Sequence, residues 1–148
     1  MFDEQLLHEK LVTATESVLE TMFFTAVLLR GAVQNSHGPL MQVHVPFLGY
    51  PSGELHIAIE ESAARVMTQD FLPEDAEGAS MEDTMCEFAS MTCGAFLSEI
   101  ESASGFKLLS PVVTPAAAAV ETFNGPLVEE GFTLESGSLV VGVRFAYE

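Results

Sequence analysis

The sequence predicts an α+β fold, a largely antiparallel sheet packed against long helices. Three observations carry that prediction. Residues 4 to about 28 and Met81 to about Glu101 place apolar side chains at helical spacing. Residues 43–59 alternate apolar and polar around Gly49-Tyr-Pro-Ser-Gly53, a hairpin pattern. Residues 127–147 read as a second hairpin around Glu135-Ser-Gly-Ser138. Helices alternate with hairpins, which favours antiparallel pairing.

In the first helix, Leu7, Leu11, Ala14, Val18, Met22 and Thr25 fall on one face, with Glu9, Thr13, Glu16 and Glu20 opposite. Phe23, Phe24 and Val27 break the pattern near its end. They make the outer face apolar if the helix runs through them, unless a loop or strand covers them. A polar loop, Gly31 to Pro39, follows. The hairpin then buries Val43, Val45, Phe47, Leu55, Ile57 and Ile59 on one side. In a symmetric register His44 lies across from His56. That pair reads as two surface histidines on a polar face or as part of a metal site. Glu60 to Phe71 reads as a helix capped by Ser62. Residues 72–80 form an acidic connector. Ser80 suits the N-cap of the next helix, with Asp83 three residues on, as in a capping box. Gly105 and a short strand, Phe106 to Leu109, come next, then an extended segment from Ser110 to Pro115. Ala116 to Val120 starts a short helix or another strand. No linker or low-complexity segment divides residues 1–148, which suits one domain with one core.

Composition excludes several functions. Net charge is −17, from 22 acidic and 5 basic residues. Phosphate backbones and anionic membrane surfaces are repelled, so neither nucleic acid nor membrane insertion is expected. A chain 48% hydrophobic and 18% charged is not disordered. No apolar run is long enough to span a bilayer. The start, Met1-Phe2-Asp3-Glu4-Gln5, lacks the basic, apolar character of a signal peptide. A cytoplasmic protein is expected. Cys86 and Cys93 share one helix about 10 Å apart, too far for a disulfide. No metal of its own is expected. P-loop, dinucleotide-binding and nucleophile-elbow motifs do not occur.

What remains is one helix. Asp83, Glu87, Ser90 and Gly94 fall in a narrow stripe, with Met81, Met85, Phe88, Thr92 and Phe96 on the opposite side. Ser and Gly are poor helix formers, and they leave room for another surface to approach the backbone. The stripe reads as a docking face that uses Glu87. Asp83 also has a purely structural role at the helix start. The first helix carries a faint echo: Glu16-x3-Glu20-x2-Phe23 against Asp83-x3-Glu87-x2-Ser90.

The chain resembles the CheX/CheC group of chemotaxis proteins, and CheX most. Members carry an acidic or Ser residue, then Glu four on, Asn three further on, and a later Pro. Here these are Asp83, Glu87, Ser90 and Pro111. Flanking landmarks follow in family order: Leu19-Glu-Thr-Met-Phe-Phe24, Val45-Pro-Phe-Leu-Gly49, Gly53-Glu-Leu-His-Ile57 and Leu109-Ser-Pro-Val-Val113. The resemblance implies dephosphorylation of CheY-type receiver domains. The Glu engages a receiver lysine and the Asn amide orients water for in-line attack on an aspartyl phosphate. The Mg²⁺ belongs to the receiver, so the chain needs no cofactor of its own. The resemblance also implies a homodimer through sheet edges. Here Ser90 replaces the amide, and Phe23 stands at the matching place in the first helix. Two expectations follow: a phosphatase with a weakened or altered site, Glu87 docking and Ser90 holding water, or a non-catalytic adaptor that binds the receiver. An ordinary solvated helix face is the third reading.

Overall fold

The computed structural model describes residues 3–31, 40–49, 52–71, 80–100, 105–114 and 127–146. Helix α1 (Glu4–Met22) starts where the Asp3 carboxylate accepts a hydrogen bond from the Gln5 N–H at 3.1 Å. It ends at Met22, six residues short of the expected end. Phe24 turns into the left-handed region at φ +52°, and the Thr25 N–H returns to the Leu19 carbonyl at 2.9 Å. Past that turn lie β1 (Leu29–Arg30), β2 (Leu40–Leu48) and β3 (Ser52–Glu60). Helices α2 (Glu61–Phe71) and α3 (Met81–Glu99) come next, then β4 (Lys107–Leu108), β5 (Val112–Thr114), β6 (Leu127–Leu134) and β7 (Gly137–Ala146).

The seven strands form one antiparallel sheet in the order β1-β6-β7-β3-β2-β4, with β5 also pairing with β2. The predicted register holds: His44 faces His56 across β2 and β3. Alternation then buries Val43, Val45, Phe47, Leu55, Ile57 and Ile59 together on one face. Leu139, Val141, Val143 and Phe145 of β7 extend that face, and the helices cover it. Gly53 fits here because a Cβ would lie 2.5 Å from the Arg144 carbonyl oxygen and 2.9 Å from the Phe47 ring.

On the opposite face, His44, His56, Gly142 and Glu129 form one cross-strand row. The absent side chain at Gly142 lets Glu129 reach within 3.6 Å of His56 Nε2. His44 Nδ1 meets the Glu54 carboxylate instead. Among the described residues no three ligating side chains converge.

Two sequence expectations fail locally. Ser62 does not cap α2; it lies in the first turn, and its hydroxyl donates to the Ser136 carbonyl at 2.9 Å, tying α2 to the β6–β7 turn. Beside it, the buried Glu60 carboxylate accepts from the Ser138 N–H at 3.2 Å. Met22, expected on the core face, is 42% exposed because the helix stops there. The segments expected at Ala116 to Val120 and at residues 72–79 lie outside the described residues.

Candidate functional site

Helix α3 is fixed at its start by Ser80, whose hydroxyl accepts from the Asp83 N–H at 3.0 Å. Glu82 and Asp83 add negative charge where the helix dipole favours it. One side of α3 is driven inward: Met85, Phe88, Thr92, Cys93 and Phe96 are buried. Met81, expected with them, is partly buried. The helix lies antiparallel to α1. Lys10, near the start of α1, pairs with Glu99 at the end of α3 at 3.2 Å. At the other end the Phe23 and Phe88 rings meet edge-on, centroids 5.3 Å apart.

This packing turns the predicted stripe outward. Asp83 and Glu87 are exposed, and Ser90 and Gly94 are half-buried. All four predicted residues therefore share one surface. Three details describe this stripe.

The first is charge. Lys10, Arg30 and Arg65 are engaged by Glu99, Glu16 and Glu61 at 3.2, 3.3 and 3.1 Å. Helix α3 itself carries no Lys or Arg. No ion pair among the described residues engages Asp83 or Glu87, so both carboxylates are available to a partner's cation.

The second is the hydroxyl. Thr15, Thr21, Thr68, Thr84 and Ser98 each donate to the carbonyl four residues back in their helices. Ser90 does not, and among the described residues no hydrogen bond occupies its hydroxyl.

The third is Gly94. A Cβ added there meets nothing within 4 Å. Packing within the chain does not require glycine, yet mid-helix glycine costs about 1 kcal/mol relative to alanine.

Both cysteines are free, as their spacing implies. Burial pushes the Cys93 thiol up to about 12. Burial raises Cys86 as well, helped by the charges of Asp83, Glu82 and Glu87. Neither thiol is a thiolate at neutral pH, so neither is an activated nucleophile. The site offers two carboxylates and a hydroxyl, groups that can hold a cation and a water.

The matching place in α1 is closed. Phe23 is 0% exposed and stacks on Phe71 at 4.7 Å. Of the three apolar residues that break the stripe of the first helix, Phe23 is covered and Phe24 stands 78% exposed. The break in the apolar stripe at Phe23 and Phe24 is the sequence signal for it.

Helices packed over one face of a seven-stranded antiparallel sheet are an architecture shared with CheX and CheC-like chemotaxis proteins of known structure. The CheX protein of Vibrio vulnificus is similar over 98% of this chain and 99% of its own, with TM-score 0.75 and 18% identity. The Shewanella CheC-like protein gives TM-score 0.77 and 16% identity, over 99% of this chain and 100% of its own. The CheX of the Borrelia burgdorferi CheX–CheY complex, solved with BeF3 and Mg²⁺, gives TM-score 0.72 and 15% identity, over 94% of this chain and 97% of its own. Among curated proteins, none matches the sequence. The family model of the chemotaxis phosphatase CheX matches residues 41–121, more than half of the chain and all of α3. The chain belongs to the CheX family.

Proposed function

We propose that this chain acts in chemotaxis or a related two-component pathway on a phosphorylated CheY-type receiver domain. Helix α3 docks against the receiver. Glu87 engages a receiver lysine, and the Ser90 hydroxyl holds the attacking water near the phosphorus. The outward, unpaired stripe of Asp83, Glu87, Ser90 and Gly94 within a CheX fold carries this reading. Hydrolysis of an acyl phosphate needs positioning more than covalent chemistry, so one carboxylate and one water-holding group suffice in principle. Mg²⁺ would come with the receiver. Self-association through a sheet edge belongs to the same proposal, and sedimentation checks it.

The hydroxyl is shorter than an amide, and Ser90 is half-buried, which favours a slow enzyme. The same observation supports the second reading, an adaptor that docks without accelerating hydrolysis. The deciding experiment follows decay of an acyl-phosphorylated CheY-type receiver in Mg²⁺, with wild type, Glu87→Ala and Ser90→Asn. Acceleration by wild type that Glu87→Ala removes establishes a phosphatase. Acceleration by Ser90→Asn alone establishes the adaptor. No acceleration and no binding by any of the three sinks both readings.

A further inference from the structure

We infer that the receiver-docking surface runs beyond the polar stripe of α3 to an apolar anchor at the end of α1, centred on Phe24. The inference rests on the docking reading above and extends it. A stripe of two carboxylates, a hydroxyl and a glycine offers little apolar area. Protein interfaces take most of their affinity from a few large, well-packed side chains. None of the exposed large apolar side chains among the described residues lies on α3.

The end of α1 can supply them. The Phe23 ring meets Phe88, the residue after Glu87, at 5.3 Å. The two chain neighbours of Phe23 are the exposed ones, Met22 at 42% and Phe24 at 78%. The core contact of Phe23 therefore ties the chain segment that carries this apolar pair to the turn of α3 that carries Glu87.

Phe24 is unusual twice over. Among the described residues it is the sole non-glycine with positive φ, at +52°. Helices that stop by a left-handed residue normally use Gly there, because a side chain crowds the following carbonyl. Phe24 thus accepts backbone strain and also leaves a phenyl ring in water. Packing among the described residues explains neither cost. A partner surface that covers the ring recovers the second and gives a reason for the first.

The ring also lines a cleft of about 390 Å³, with Leu28 and Val66, rimmed by Asp70 and Glu135. That volume admits a large apolar side chain, and the acidic rim suits flanking Lys or Arg. The occupant is therefore the receiver, presenting an apolar residue next to basic ones. A second copy packed face to face here would set Asp70 and Glu135 against the same acidic rim.

The test uses the full chain and a CheY-type receiver held in its active form with BeF3 and Mg²⁺. Affinity, thermal midpoint and sedimentation are measured for wild type, Phe24→Gly and Glu87→Ala. Glycine suits the left-handed backbone, so Phe24→Gly should melt no lower than wild type while removing the ring. Its receiver affinity should fall about tenfold or more. If Phe24→Gly binds like wild type while Glu87→Ala loses binding, the anchor is wrong and the docking reading stands. If wild type does not bind the activated receiver, both fall. If Phe24→Gly converts a wild-type dimer to monomer at unchanged receiver affinity, the patch joins two copies and the inference is overturned.

Discussion

Helices α1 and α3 are the same length, 19 residues each, and lie antiparallel over one sheet face. Both start with a capping side chain, Asp3 or Ser80, followed by acidic residues in the first turn. Both carry two acidic residues four apart and then a third position three residues on. Yet α3 turns that third residue, Ser90, toward the surface, whereas α1 buries it as Phe23 between Phe71 and Phe88. The difference follows from where each helix stops. After Ser90 the helix continues to Glu99, so the stripe stays regular. After Met22 the chain turns through Phe24, and Phe23 swings into the core. One spacing serves docking in one helix and packing in the other.

The largest break in this comparison is Phe23→Asn, which writes the family amide into α1. It should cost about 3–5 kcal/mol, from the cavity left by the ring and from burying an amide without partners. Urea denaturation measures it, and a loss under about 1 kcal/mol would show that Phe23 is not the core residue described here. Ser90→Asn is the reciprocal change in α3. It should raise receiver dephosphorylation about 100-fold, roughly 2.7 kcal/mol of barrier, with little change in stability. Unchanged rates would mean that the amide does not reach the phosphorus from this helix.

Gly94→Ala sharpens the comparison at lower amplitude. With open space around the new methyl, the free chain should gain about 0.5–1 kcal/mol, and receiver affinity should drop if a surface closes on the backbone there. A gain in stability with no loss of affinity would place Gly94 outside the contact. The smallest effect concerns the far side of the sheet. Burial holds His56 below its ordinary value against the pull of Glu129 and Glu54, with His44 pushing the same way as burial. The unfolded chain therefore takes up this proton first, and stability should fall as pH drops below about 6.5 through the lower folded value. His56→Gln should flatten that part of the melting profile. An identical profile in the variant would assign the acid sensitivity to other groups.

Periodicity made the helices and both hairpins legible, since alternation and helical spacing are local properties. The His44–His56 register followed from hairpin symmetry, and the α3 stripe followed from helical geometry. The early end of α1 was not legible, because a phenylalanine sits where a left-handed turn normally uses glycine. The two-residue β1 was missed because it acquires its strand character from pairing with Thr133 and Phe132, far along the chain. Ser62 misled for a similar reason: its hydroxyl is claimed by Ser136, a long-range partner that outcompetes the helix end. The resemblance located Glu87 and Ser90 and took Phe24 in as a landmark, but not its exposure, which depends on where the helix breaks.

The place of β7 in the sheet has a further consequence. Among the described residues it is the last of the seven strands in chain order, yet it lies between β3 and β6 and is the sole bridge between them. During translation, β2, β3, β4 and β5 can pair as soon as they emerge. Until β7 follows, β3 shows a bare apolar edge and β6 with β1 has no sheet to join. Between the emergence of β3 and that of β7 the nascent chain thus carries an open seam, the interval in which a holdase would have most to protect.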